Sequence, residues 1–366
     1  MPINSKLLEV ASQFKITGKI ESIEEFGDGH INDSFMVKTV GNTDPDYILQ
    51  RKNKHVFNPI PDMMNNMYMV TTHLKKKVVA GGGDPMREAV TILPTSSGKY
   101  FYLDNENEYW AICIYIPDHI IYQKADNTDL AYKGGKGIGN FQNMLSDLKD
   151  PLADILKGYH NMRYRFMQWD KVIEKDPAGR KSKLKEEISW IESRREDMLK
   201  MWGHIENGSI PTRVAHNDTK INNILFDKSG NVICMIDLDT VMNSSVLNDF
   251  GDAIRTYTNT GREDDTALEK VTMDFEIFKA FARGYIEEAI SFLTPLELDY
   301  LAFSSNYITF EQVLRFLMDY IDGDHYYKIK SEDHNLIRTY AQYKLLQSIE
   351  EQSAEMKNWV MHLSRG

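Results

Sequence analysis

The chain has 366 residues, 42% of them hydrophobic and 27% charged, and carries a formal net charge of −11. That length allows two lobes with ample core, and the acidic balance argues against a polyanionic partner such as nucleic acid. Its two cysteines, Cys113 and Cys234, lie in apolar runs and read as buried reduced thiols, while no apolar run approaches the ~18 residues of a bilayer span and the start has no signal-peptide core, so a cytoplasmic monomer without a membrane partner is expected.

The first third reads as β-rich. Residues 19–27 and 30–40 are strand-like and are joined by Gly27-Asp28-Gly29; "GNTDPD" then turns the chain into a third strand, "YILQRKN". A helix is expected over 61–80, closed by Gly81-Gly82-Gly83. The stretches "EAVTILPTSSG", "KYFYLD" and "EYWAICIYIP" follow as a strand and a hairpin turned by "NEN". This is a small sheet with one helix inserted after its third strand, ending at Pro117-Asp118. Residues 1–117 are expected to form one domain and 118–366 another.

Beyond that boundary the pattern is mainly helical. Apolar spacings of three and four predict helices near 132–148, 151–170 and 182–203, then at 249–258, 267–289, 295–320 and 331–361. The charge cluster at 180–197 reads as a solvated helix face. A glycine cluster, "YKGGKGIGNF", follows no strand and reads as a helix lead-in rather than a phosphate cradle. Only "VAHNDTKINNILFD" and "NVICMIDLD" look like β islands.

The first of these islands is interrupted by His216, Asn217, Asp218, Thr219, Lys220, Asn222 and Asn223. So many buried hydrogen-bonding groups are costly unless a turn uses them. Asp218 and Asn223 stand five residues apart with His216 two before the aspartate, the H-x-D-x-x-x-x-N spacing of a kinase catalytic loop. In that reading Asp218 takes the proton of the attacking hydroxyl and Asn223 offers its amide oxygen to Mg²⁺. A carboxylate must complete the metal site. "NILFD–KSGN–VICMID" is a hairpin that would bring Asp237 back beside the loop, whereas Asp249 of the string "DFG" opens a helix and suits an N-cap or a loop anchor.

The segments "HNDTKINNILFD", "VICMIDLDTVM" and "NDFGDAIRT", with "FGDGHINDSF" and "YILQRKN" before them and "LRFLMDYIDGDHYYKI" and "HNLIRTYAQYKLLQSIE" after, resemble the aminoglycoside phosphotransferase/choline kinase-like superfamily. They are most similar to the N-acetylhexosamine 1-kinases. The resemblance implies an α+β, bilobal, protein-kinase-like fold: a small antiparallel β-sheet N-lobe with one inserted helix, and a larger, mainly helical C-lobe. It also implies ATP with Mg²⁺ as cofactors and the anomeric hydroxyl of N-acetylglucosamine or N-acetylgalactosamine as acceptor. Carried over by position, Asp218 is the base, Asn223 and Asp237 hold magnesium, and His30, Arg315 and Tyr326 touch the sugar. Gly27, Gly29, Arg51 and Ile116 fall on the nucleotide side.

Two positions depart from the kinase template. The third strand reads Gln50-Arg51 where a phosphate-binding lysine is expected, and Arg51 either clamps phosphate or is a surface charge. Asn32 replaces the third glycine of G-x-G-x-x-G. Asp239 either reaches a second ion or braces the loop, and Arg315 either meets the sugar or pairs with Asp319 on its own helix. Kinases of choline, homoserine or an aminoglycoside, and a non-catalytic kinase-like binding protein, are the competing readings. The intact Asp218, Asn223 and Asp237 argue against the last.

Overall fold

The computed structural model describes residues 5–27, 31–41 and 43–365. They form two compact units, the first of 1–121, 147–157 and 224–243, the second of 122–146, 158–223 and 244–366.

The first unit is built on an antiparallel sheet. After helix α1 (Ser5–Ala11) come β1 (Ile20–Glu25), β2 (Asp33–Thr39) and β3 (Tyr47–Lys52), then α2 (Ile60–Ala80), β4 (Tyr102–Leu103) and β5 (Tyr109–Ile114), with spatial order β1-β2-β3-β5-β4. Alternation gives the sheet two different faces. Val37, Tyr47, Leu49, Trp110 and Ile112 pack with Leu7, Val10 and Ala11 of α1 into one hydrophobic cluster. Gln50 and Lys52 lie on the opposite face.

Two details of this unit differ from the sequence reading. The seven-residue α1 is too short to show a helical period and is absent from it. The strand expected over 88–98 is reduced to two isolated bridges, Ile92 to Cys113 and Thr95 to Phe14. Leu93 N–H still donates to the Ile112 carbonyl, but Pro94 has no donor to continue a ladder. The expected hairpin Ile224–Phe226/Val232–Met235 is present, with Ile224 opposite Met235. Its turn is held by Asp227, whose Oδ1 accepts from Ser229 N–H at 2.7 Å and Asn231 N–H at 2.9 Å.

The second unit is helical: α3 (Thr128–Leu145), α4 (Met162–Lys175), α5 (Lys185–Glu192), α6 (Arg195–Glu206), α7 (Val246–Tyr257), α8 (Phe275–Ala289), α9 (Pro295–Asp322) and α10 (His334–Leu363). Residues 151–161 are not helical, and 182–203 is broken between α5 and α6. The glycine cluster lies inside α3, where it permits close helix contact. A Cβ on Gly135 would meet the Phe281 carbonyl oxygen at 2.2 Å, and one on Gly284 of α8 the Tyr132 carbonyl oxygen at 2.1 Å. No described helix is long and apolar enough to cross a membrane.

Candidate active site

In the first unit the polar face of β3 carries a buried cation. Lys52, 1% exposed, donates from Nζ to Asp239 Oδ1 at 2.7 Å and Oδ2 at 2.9 Å, and to Gln50 Oε1 at 2.7 Å. Asn32 completes the group, its Nδ2 donating to Asp239 Oδ2 at 2.6 Å while its Oδ1 accepts the Asn53 N–H at 3.0 Å. That is why an asparagine stands where the glycine pattern breaks: its side chain ties the residue just before β2 to the end of the third strand and to Asp239. Arg51, one residue earlier, points the other way and pairs with Asp33, its cross-strand partner on β2. The sequence places Lys52 inside this strand, but the template's phosphate-binding position falls on Gln50-Arg51. One more step of two along the Ile48–Gln50 face reaches Lys52.

Asp239 accepts from the Lys52 ammonium with both oxygens and from the Asn32 amide with one, which suits a brace for Lys52 rather than a ligand of a second ion. Asp237, two residues earlier, sits in the left-handed region at φ 58° and ψ 54°. A non-glycine residue held there costs about 1–3 kcal/mol, and such strain gathers where a side chain must be aimed. The hairpin register returns the chain to the end at which Ile224 enters, and Asp237 emerges at that end.

In the second unit the strand Arg213–Ala215 runs into the polar loop. His216, Asn217 and Thr219 are fully buried. Asp249 fixes them: its carboxylate accepts His216 N–H at 2.9 Å, Asn217 N–H at 2.7 Å and Gln142 Nε2 at 2.8 Å. Its backbone carbonyl accepts Thr219 Oγ1 at 2.7 Å. Burial pushes the Asp249 carboxyl up, against the pull of His216 and these hydrogen bonds. Ser245, not Asp249, caps α7, so Asp249 is the loop anchor. The rest of the "DFG" string serves packing: Phe250 is buried, and a Cβ on Gly251 would meet the Ser304 carbonyl oxygen at 2.3 Å.

Held this way, the loop leaves Asp218 at its surface with a quarter of its side chain exposed. Asn223 Nδ2 donates to the Asp218 carbonyl at 2.9 Å and to its Oδ2 at 3.0 Å. With the amide nitrogen committed, the amide oxygen is the atom Asn223 has to offer a cation. Lys220 Nζ lies 3.1 Å from the same Asp218 oxygen. The sequence reading gave Lys220 no role. Its place two residues after the aspartate was the available signal.

Asn223 and Asp237 each present a hard oxygen donor, the ligand type Mg²⁺ prefers, and Mg²⁺ takes its remaining ligands from phosphate and water. Each side chain, taken in its own unit, is of the donor type that ion prefers. Among the described residues no group of three His, Cys, Asp or Glu side chains is arranged to hold a metal.

Beside the loop, Tyr159 donates from its hydroxyl to the Asn217 carbonyl at 3.3 Å, and its ring centroid lies 5.9 Å from the Arg315 guanidinium carbon. Arg315 is buried, and its Nη2 donates to the Tyr326 hydroxyl at 3.3 Å. It does not pair with Asp319. That carboxylate instead accepts the Tyr326 and Tyr327 N–H groups at 2.8 and 3.0 Å and Asn335 Nδ2 at 2.8 Å, fixing the turn after α9.

His30 and Gly29 lie outside the described residues. Gly27 has φ +73°, with open space where a Cβ would be. Ile116 is buried, and its carbonyl accepts His119 Nδ1 at 2.6 Å.

A model of the phosphotransferase enzyme family matches residues 22–284. In fold the chain is similar to a spectinomycin phosphotransferase solved with ADP and spectinomycin, at 14% identity over 97% of this chain and 100% of that one, TM-score 0.60. It is similar to a microcompartment-associated aminopropanol kinase, at 14% identity over 96% and 98%, TM-score 0.63. Choline kinase from Cryptosporidium parvum Iowa II matches at 14% identity over 98% and 100%, TM-score 0.57. Likeness at such identities establishes the fold: α+β and protein-kinase-like, with a five-stranded antiparallel sheet and a mainly helical C-terminal part.

Proposed function

The chain belongs to the phosphotransferase enzyme family, and we propose that it transfers the γ-phosphate of ATP to the anomeric hydroxyl of N-acetylglucosamine or N-acetylgalactosamine. The observation that carries this reading is Tyr159. One side chain joins the backbone of the loop bearing Asp218 to a buried guanidinium, so the base and a strong donor for sugar oxygens belong to one neighbourhood.

In the proposed reaction Asp218 accepts the proton of the sugar hydroxyl on the oxygen that Asn223 and Lys220 do not occupy. Phosphoryl transfer is mainly positioning and charge stabilisation, so the fixed loop matters as much as the base. Asn223 and Asp237 would hold Mg²⁺, whose charge would offset the negative charge of the ATP phosphates. Lys52 replaces Arg51 as the proposed phosphate clamp, with Asp239 and Gln50 keeping its ammonium in place. Lys220 adds positive charge beside Asp218, where the transferred group passes. Arg315 and Tyr326 orient the sugar; His30 joins them on the resemblance alone.

The test is a product assay with ATP and Mg²⁺ across free sugars, choline, homoserine, aminopropanol and aminoglycosides. An acid-labile product that resists borohydride reduction marks an anomeric phosphate. Phosphorylation confined to the amino alcohols or aminoglycosides would overturn the sugar assignment.

A further inference from the structure

Arg315 is a buried cation without a direct ion pair, the charge of Glu311 acting on it only from a distance. It is 8% exposed, and among the described residues no carboxylate lies within ion-pair distance of it. The nearby acids are engaged elsewhere. Glu311 binds His160 Nδ1 at 2.6 Å and Arg165 Nε at 2.8 Å; Asp252 binds Arg255 at 2.8 Å; Asp319 is taken up by the turn after α9. Around the guanidinium carbon stand three aromatic rings, Tyr159 at 5.9 Å and Tyr326 and Tyr327 at 5.5 Å each.

Tyrosine rings at such distances form the kind of cage that recognises an onium ion. Here the position of the onium ion is filled by the protein's own guanidinium. A guanidinium has five N–H donors and accepts nothing. Arg315 uses one in a hydrogen bond to Tyr326, and no other described residue takes up the rest. An ammonium group brought beside it would meet like charge from a guanidinium that is itself buried, although the Tyr326 wall of the cage is 68% exposed, and burial strengthens Coulomb repulsion.

We propose that Arg315, occupying the tyrosine cage, makes the acceptor site select for uncharged, oxygen-rich molecules and against cationic amines. The inference rests on the acceptor binding beside Asp218, and deepens that reading by stating a charge rule for the pocket. Sugars whose amine is acylated pass this filter. Free amino sugars, choline and amino alcohols do not.

The experiment compares glucose, glucosamine and N-acetylglucosamine as acceptors over a range of pH, in the parent and in Arg315→Met. Glucose and glucosamine differ only by a hydroxyl and an amine, so they isolate charge. For the parent, kcat/KM for glucose should exceed that for protonated glucosamine by about 10- to 100-fold. The gap should close as rising pH removes the amine's proton. In Arg315→Met the use of both neutral sugars should fall, and the glucose-to-glucosamine ratio should move toward one. Equal use of glucose and protonated glucosamine by the parent would overturn the charge rule while leaving the sugar reading intact. So would a ratio unchanged by the substitution. Rejection of all three sugars with turnover of another neutral polyol would overturn the sugar reading and leave the charge rule standing. Should Arg315→Met fail to fold, the parent's pH series decides alone.

Discussion

Asp218 keeps one carboxylate oxygen against Asn223 and Lys220 and leaves a quarter of its side chain exposed, which suits a group that must take up and release a proton. Asp218→Asn should therefore melt like the parent and bind nucleotide normally while losing about 10²–10⁴-fold in kcat; a variant within a few-fold of the parent would remove the base assignment. Neighbouring cations on β3 make a second comparison. Arg51→Met breaks only an exposed pair with Asp33, worth less than about 1 kcal/mol, and should leave KM for ATP unchanged. Lys52→Met leaves Asp239 buried without its counter-charge, at a cost of about 3–5 kcal/mol, and should weaken nucleotide binding measured well below the melting point. If titration with ATP shows Arg51→Met to be the weaker binder, the clamp lies on the other face of the strand.

At the scale of elements, α7 and the polar loop act as one piece because Asp249 ties them together. Asp249→Ala strands the buried N–H groups of His216 and Asn217, each costing about 1–3 kcal/mol. Melting should drop by on the order of 5 °C or more, with the Mg²⁺ dependence of the remaining activity unchanged. Asp237→Ala should do the reverse, raising the Mg²⁺ requirement with little change in melting. Activity against Mg²⁺ concentration, beside a melting curve, separates the two aspartates. The elements themselves were legible to different depths. Alternation and turn residues announce β1, β2, β3 and β5, and the apolar spacing announces the long helices. Asp218 and Asn223 are legible because their spacing is local to one loop. Lys52 is not legible as the clamp because the template position falls on Gln50-Arg51 and its partner Asp239 lies far along the chain. The engagement of Asp239 and Asp319 was equally invisible, since their donors belong to other elements that no local pattern specifies.

On the scale of the whole molecule, acid sensitivity should reflect buried carboxylates such as Glu311. Burial alone would raise this carboxyl, but the charges of His160 and Arg165 hold it below the usual carboxylate range. A group whose pKa is lowered by folding contributes stability above its unfolded value, near 4.5 for glutamate, and loses it as the pH falls below that. Glu311→Gln should be less stable than the parent by about 3–5 kcal/mol at neutral pH. The difference should narrow progressively below about pH 4.5; a constant gap in urea unfolding from pH 7 to 3 would contradict this. The pairing of Lys52 with Asp239 has a consequence in time. The two residues are 187 positions apart, and synthesis at roughly 5–20 residues per second delivers the aspartate about 10–40 s after the lysine. Through that interval the emerging sheet has a strand whose inward ammonium has no carboxylate to meet. A chain stalled on the ribosome before Asp239 has emerged should be cut readily by protease within the first 121 residues. One stalled well beyond it should resist, so the N-terminal sheet, although made first, matures only when two-thirds of the protein has been translated.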